Sequence, residues 1–252
     1  MDKKVSIVVP VYRAQEFIQN TMDCVLAQTY SDWELFLVVD DPQDETIAVI
    51  RNYIDEKKEN RIHILIQEEN QGAALARNRG VQEATGRYIA YLDADDLWRP
   101  EKLEKMLAFL EEKQAAFGFS GYEFADQNGV GMGKVVRVPE TLEYKEALKN
   151  TTIFTSTVVF DTTRIDKELL NMPNVKSEDT ALWWKILRNG YKAYGLDENL
   201  VFYRRPAVSL SSNKLVAIKR IWNLYRNVEK LSLPCSCYNF CFWAVRAVLR
   251  RV

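Results

Sequence analysis

Three carboxylates, Asp93, Asp95 and Asp96, follow directly on the apolar run Tyr88, Ile89, Ala90, Tyr91, Leu92 in the stretch AYLDADDLWRPEKL. Charge at the end of a buried strand is costly unless something pairs with it. A strand places residues i and i+2 on one face, so strand geometry continued to its end projects Asp93 and Asp95 the same way. That pair is too poor in oxygens for a closed protein cage, but it suits a divalent ion that also takes oxygens from a diphosphate and from water. The structural alternative is that Asp95 or Asp96 caps the helix that RPEKLEKML begins. Capping accounts for one acid, not three.

A second acidic group opens SEDTALWWKILRNG, where Ser177, Glu178 and Asp179 precede the apolar positions Ala181, Leu182, Trp183, Ile186 and Leu187. Ser177 is placed to cap that helix and Glu178 to complement its dipole. Asp179 is less well explained that way. A carboxylate facing a metal-held leaving group is what a sugar-transfer site needs: it takes a proton from an acceptor hydroxyl while the metal stabilises the departing diphosphate.

The elements that must position these acids alternate regularly. Strands are expected at 5–9, 34–39, 62–66 and 87–92, with helices at 14–28, 45–57 and 73–84 between them. That order predicts an α/β fold with a mostly parallel, Rossmann-like sheet covered on both faces, and such sheets bind ligands beyond the carboxyl ends of their strands. The acids Asp40 and Asp41 end the second strand and the Asp93 to Asp96 cluster ends the fourth. Beyond Pro100 the second half is mixed: a helix at 101–113, a strand at 117–122, a hairpin through DQNGVGMG and KVVRVP, a short strand in TSTVVF, a helix at 178–188 and a strand-like KAYGLDENLVFYRR. Residues 213–230 and 236–252 read as two terminal helices split by Pro234.

With 252 residues, 47% of them hydrophobic, the chain is long enough to bury a full core. Its net charge of -1 hides an asymmetry, because from Arg204 onward ten basic residues face Glu229 alone and the body is correspondingly acidic. A basic, aromatic tail on an acidic body points to an anionic partner. Nucleic acid is disfavoured, because the aromatics of the tail lie inside apolar helical runs. An anionic membrane surface fits better. Cys24, Cys235, Cys237 and Cys241 do not form a spread disulfide framework, which suggests a reducing cytosol, and the lone His63 lies too far along the chain to complete a zinc site with the clustered three. The start, MDKKVSIVVPVYR, is broken by Pro10 and lacks a cleavage site, so it reads as a first strand. No run approaches the roughly 20 apolar residues of a membrane span.

Together, VSIVVPVYR, LFLVVDD, NQGAALARNRGVQEATGRYIAYLDADD with Leu97 to Pro100, SEDTALWWKI and YRRPAVSLS resemble, in order and spacing, the family 2 inverting glycosyltransferases of the GT-A fold. The resemblance covers roughly residues 4 to 212. It implies a GT-A domain over 1–212 followed by basic amphipathic helices over 213–252. It implies a nucleoside-diphosphate sugar donor, UDP-linked, a divalent metal (Mn or Mg), and a glycan or lipid-linked acceptor of cell-surface polysaccharide synthesis. Asp179 would be the general base. Asp93 and Asp95 would form the D-x-D pair, with Asp95 the direct metal ligand. Asp41 would read the uracil, and Pro10, Tyr12, Gly72, Arg77 and Ala94 would lie on the donor side. For Arg77 the competing reading is a solvated helix face. The loop DDPQDET departs from the family in carrying Pro42 where glycine and serine or threonine are usual, and Arg13 replaces a common asparagine or lysine.

Two other classes compete. A nucleotidyltransferase would need a glycine-rich loop after the first strand, and PVYRAQEF has none. A non-catalytic, membrane-attached relative would not need D-A-D together with Asp179. The tail is expected to lie on the inner face of a membrane, with Leu215, Ile218, Trp222 and Tyr225 as one stripe and Tyr238, Phe240, Phe242 and Trp243 leading into Arg246, Arg250 and Arg251. Packing on the catalytic domain or on a second subunit, giving a homodimer, is the alternative.

Overall fold

The structure, a computed structural model, describes residues 3–150, 152–204 and 214–249. The loop expected in YRRPAVSLS after Arg204, the boundary at 212, and Arg250 and Arg251 lie outside the described residues.

Strands β1 (Val5–Val11), β2 (Trp33–Val39), β3 (Ile62–Ile66) and β4 (Tyr88–Tyr91) are parallel in the order β3-β2-β1-β4. They are almost continuously apolar because both faces are covered. Ile7, Val9, Leu35 and Leu37 point into one core layer with helices α1 (Ile18–Leu26) and α2 (Thr46–Lys57). Val8, Phe36 and Val38 point into the other, beneath α3 (Ala73–Glu83). A Cβ at Gly80 of α3 would collide with the side chain of Val8, so glycine is what lets this helix lie directly on the sheet. Chain order reverses on the two sides of β1, and the crevice beyond the strand ends at that point is where such sheets take ligands.

The second half adds β5 (Leu97–Trp98), α4 (Lys102–Lys113), β6 (Phe117–Ala125), β7 (Gly131–Val136), β8 (Thr141–Leu142), the single turn α5 (Tyr144–Ala147), β9 (Val159–Asp161), α6 (Glu178–Arg188) and β10 (Ala193–Arg204). The sheet continues as β4-β9-β6-β10-β5. Strand β9 is antiparallel to both neighbours, whereas β6 and β10 are again parallel. The expected mixed sheet and the β6–β7 hairpin are both present.

Several local expectations are corrected. Strand geometry does not persist to the acids: β4 stops at Tyr91, and Asp93 to Asp96 form a turn closed by the Asp96 N–H donating to the Asp93 carbonyl at 3.1 Å. Neither Asp95 nor Asp96 caps α4, since β5 intervenes and the N-cap is Glu101, with no side-chain cap. TSTVVF is only half strand, because Thr155–Thr157 is a 3-10 turn. Ser177 occupies the N-cap of α6, but at φ 64° its side chain makes no cap hydrogen bond.

The terminal helices are α7 (Lys214–Asn223), which runs into a π-helical turn Leu224–Val228, and α8 (Leu233–Leu249). Pro234 starts α8 rather than separating it from α7, as suits a residue with no N–H to offer. The stripe expected on the first helix is divided. Tyr225 is buried, stacks on Trp184 of α6 at 5.2 Å and donates its hydroxyl to the Leu148 carbonyl, while Leu215 and Ile218 are exposed. Arg188 and Tyr144 both hold the buried Glu229 of this segment. The aromatics of α8 also divide: Phe240 and Trp243 pack inward, Phe240 against Trp222, while Tyr238, Phe242 and Val245 face outward. No helix among the described residues is long and apolar enough to cross a membrane. The four cysteines are free.

Candidate active site

At the carboxyl ends of β1, β2 and β4 lies a cavity of about 540 Å³, whose wall includes Pro10, Tyr12, Arg77, Asp93, Ala94 and Asp95. Six residues expected to face the donor or its metal are thus brought together by the strand ends and the first turns of α3. Gly72 precedes Ala73 of this wall and adopts φ 90°, a conformation that only glycine takes freely. Asp41 is not part of the wall and accepts from the Gln43 N–H at 2.9 Å.

The neighbouring Asp40 does line the cavity, and its role is legible in its bonds. Its two oxygens accept from Gln67 Nε2 at 2.6 Å, Gln71 N at 3.0 Å and Gly72 N at 2.7 Å. Asp40 therefore ties the loop before α3 to the end of β2. On the other side, Asp44 accepts from the N–H of Arg13, which sits at φ 50°, and from Thr46. Burial opposes its ionisation, but the hydrogen bonds of Thr46 and the Arg13 N–H outweigh it and hold the carboxyl below its usual range. DDPQDET thus clamps the β1–α1 loop from which Tyr12 projects, half exposed, into the cavity mouth.

Arg77 joins the two acidic groups. It is 5% exposed, not a solvated face residue, and its guanidinium reaches Asp93 Oδ1 at 2.6 Å through Nη2 and Glu178 Oε1 at 3.1 Å through Nη1. Burial alone would disfavour its charge, but Asp93, Glu178 and Asp179 keep it protonated. Sequence reasoning gave Glu178 to the helix dipole; its side chain instead completes this bridge. The bridge fixes the start of α6 against the D-A-D turn and so brings Asp179 into the same electrostatic site.

Asp179 is partly buried, accepts from the Thr180 N–H at 2.6 Å and lies 3.5 Å from the Thr155 hydroxyl. Burial, then the negative charge of Glu178, raises its pKa above the usual carboxylate value. The adjacent Ser156 ties the turn from below: its hydroxyl accepts from the Asp93 N–H at 3.0 Å and donates to Asp96 Oδ2 at 2.5 Å. Asp96 also accepts from the Arg204 N–H, is fully buried, and is pushed well above its normal pKa by burial and by Asp95 and Asp93. The third acid is therefore structural. Thr155, Ser156 and Thr157 were missed as site-builders, although three hydroxyls heading an apolar β-branched run were a visible signal.

Asp95 remains. Its carboxylate makes no hydrogen bond or ion pair to another side chain among the described residues, and burial together with Asp93 pushes its pKa up to about 6. No cluster of three or more metal-ligating side chains occurs among the described residues. A lone, desolvated carboxylate beside a second one that is shared with Arg77 fits a divalent ion that draws its other oxygens from a bound diphosphate, and does not fit a protein-only cage.

The fold is that of GT-A glycosyltransferases. Staphylococcus aureus TarS, solved in complex with UDP-GlcNAc, superposes with a TM-score of 0.70 at 18% identity, covering 96% of this chain and 70% of TarS. The mannosyltransferase PcManGT of Pyrobaculum calidifontis, solved with GDP-Man and Mn2+, gives 0.71 at 18% identity over 94% of this chain and 68% of its own. Residues 6–170 match the family described as Glycosyl transferase family 2. In sequence, the chain is 41% identical over 98% of its length, and 97% of the relative's, to TuaG of Bacillus subtilis, a glycosyltransferase named for teichuronic acid biosynthesis. It is 37% identical over 88% of its length, and 85% of the relative's, to WfgD of Escherichia coli, named as a UDP-Glc:alpha-D-GlcNAc-diphosphoundecaprenol beta-1,3-glucosyltransferase. The chain belongs to glycosyl transferase family 2 and is a glycosyltransferase.

Proposed function

We propose that the protein transfers a sugar from a UDP-sugar to a hydroxyl of a lipid-linked saccharide during cell-surface polysaccharide synthesis, with inversion at the anomeric carbon. The observation that carries this reading is Arg77 holding Asp93 and Glu178 at once, which sets Asp179 opposite the D-A-D turn. One carboxylate opposite one leaving group suits a single direct displacement. The named substrates of WfgD and the nucleotide-sugar bound to TarS support the donor and acceptor classes.

In this reading residues 1–212 carry the transfer site and 213–252 the terminal helices. Tyr12, Pro10 and Gly72 would face the nucleotide, Asp41 would read the base from just outside the cavity wall, and Ala94 would leave room for the diphosphate. Asp95, assisted by Asp93, would hold a divalent Mn or Mg, whose charge would offset that of the departing diphosphate. Asp179 accepts the proton of the acceptor hydroxyl. Its raised pKa makes it a stronger base than an exposed aspartate. Exposed Tyr238, Phe242 and Val245, with Arg246 beside them, would rest at the inner face of the membrane that carries the acceptor.

A screen of nucleotide-sugars for released nucleoside diphosphate, with and without manganese, tests the donor and the metal. Asp179→Asn should lower transfer roughly a hundredfold or more with little change in donor affinity. Asp95→Asn should instead weaken metal-dependent donor binding. Near wild-type turnover of the Asp179 variant, or full activity in chelator, would reject these roles.

A further inference from the structure

A second cavity, of about 550 Å³, lies away from the D-A-D turn, between the β7–β8 connection, α5 and the last helix α8. Its wall carries Arg137, Lys149 and Arg246 against the single carboxylate Glu146, Arg137 being paired at 3.3 Å with Asp197, which is not part of the wall. In a body whose sequence is otherwise acidic, such a concentration of cations around a concave space is an anion's site rather than an accident of composition. Glu146, tied into the capping box of α5 with Glu143, offsets one of the three charges and leaves the wall net positive.

The states of the polar groups support a ligand. Thr152 lines this cavity, is 6% exposed, and its hydroxyl has no hydrogen-bond partner among the described residues. A buried hydroxyl left unpaired in a native fold calls for an explanation, and a bound acceptor supplies one. Arg246 forms no ion pair or hydrogen bond among the described residues. Lys149 rests its ammonium 4.9 Å from the Tyr238 ring and 5.2 Å from Phe242, a contact that orients the cation without neutralising it. Tyr238, Phe242 and Arg246 succeed one another at intervals of four along α8, so the outward aromatic stripe ends at the cationic wall.

The cavity is also connected to the reaction. Thr155, which contacts Asp179, is three residues beyond Thr152, and three extended residues span at most about 10 Å. Thr152 therefore lies within about 10 Å, Cα to Cα, of the residue that contacts the proposed base.

We propose that this cavity binds the diphosphate of the lipid-linked acceptor, with its lipid leaving along Tyr238 and Phe242 and its sugar extending toward Asp179. The proposal rests on the acceptor class given above and assigns its phosphate-binding site. Arg137, Lys149 and Arg246 meet the charge, and the Thr152 hydroxyl donates to a phosphoryl oxygen. A multiply charged diphosphate matches a wall with three cations better than a neutral glycan does.

The test uses the full chain and short-chain, detergent-free acceptors, so that membrane attachment plays no part. Transfer is measured to a sugar on a short prenyl diphosphate and to the same sugar on a neutral alkyl chain. Arg246→Gln and Lys149→Gln should raise KM for the diphosphate acceptor about tenfold, leaving both the alkyl acceptor and acceptor-independent release of nucleoside diphosphate from the donor unchanged. Thr152→Val should weaken the same acceptor while leaving thermal stability equal or higher, since the lost hydroxyl had no partner. Binding of inorganic pyrophosphate, with UDP saturating the donor site, should fall in all three variants. Equal KM changes for both acceptors, unchanged pyrophosphate binding, or loss of stability in the Thr152 variant would overturn the proposal. Failure of the broader reading would look different: no donor tried would release its nucleoside diphosphate.

Discussion

The hydroxyl of Ser156 donates to the carboxyl of Asp96 at 2.5 Å while accepting from the backbone N–H of Asp93, so one buried serine fixes both ends of the acidic turn. Ser156 and Asp96 are both fully buried. Ser156→Ala would leave a buried carboxyl and a buried N–H short of a partner, a loss of about 1–3 kcal/mol. In a chain of this length each kcal/mol lowers Tm by about 2–4 °C. Thermal melts of Ser156→Ala should show that drop, and an unchanged Tm would mean that the latch contributes nothing to stability.

Arg77 should be irreplaceable even by another cation. Its planar fork reaches Asp93 and Glu178 together, which a lysine ammonium does not do with the same geometry. Arg77→Lys is expected to retain the fold and lose at least tenfold in transfer, and Arg77→Gln is expected to lose stability as well, because three carboxylates then share a site without their cation. Glu178→Gln should be milder than Arg77→Gln in both assays. Wild-type kcat/KM in Arg77→Lys would show that the bridge only supports folding.

Acid should unlatch the start of the sheet. Glu34 is buried and accepts from Ser6 Oγ at 2.6 Å and Thr85 N at 2.8 Å, and pairs with Lys4 at 2.5 Å. Burial would raise its pKa, but the Lys4, Ser6 and Thr85 bonds prevail and lower it from 4.5 to about 2. A carboxylate with a depressed folded pKa stabilises fully above its unfolded value, and that contribution is lost as pH falls from about 4.5 toward about 2. At about 1.4 kcal/mol per pKa unit, the share at stake is on the order of 3 kcal/mol. Denaturant midpoints across that window should converge for wild type and Glu34→Gln. Curves that stay parallel down to pH 2 would assign the acid sensitivity to other groups.

Membrane attachment is separable from catalysis. The outward face of α8 exposes Tyr238, Phe242 and Val245, whereas the π-helical turn after α7 is docked through Tyr225 and Glu229. Replacing Tyr238 and Phe242 together by serine should reduce sedimentation with anionic vesicles several-fold without changing transfer to a soluble acceptor on a neutral alkyl chain. Unchanged vesicle binding, or a stable dimer that the same changes disrupt, would assign this face to a protein partner.

The sequence by itself determined the order of elements in the first half and the residues that gather at its strand ends. Apolar runs buried on both faces read unambiguously as parallel strands, and Pro10, Tyr12, Arg77, Asp93, Ala94 and Asp95 do share one cavity. It also exposed Asp179 as an acid that capping does not explain. What a local pattern could not decide was which acid does what. Asp40, Asp41, Asp95 and Asp96 are the same residue type on neighbouring positions, and only tertiary neighbours separate them: Asp40 meets the α3 loop, Asp96 meets Ser156 and the Arg204 N–H, and Asp95 makes no side-chain hydrogen bond or ion pair among the described residues. The partnership of Arg77 with Glu178 joins residues 101 positions apart, beyond the reach of any helical or strand period. The terminal helices show the same limit, since a stripe at 3.6-residue spacing says that a face is buried, and the fold alone decides against what.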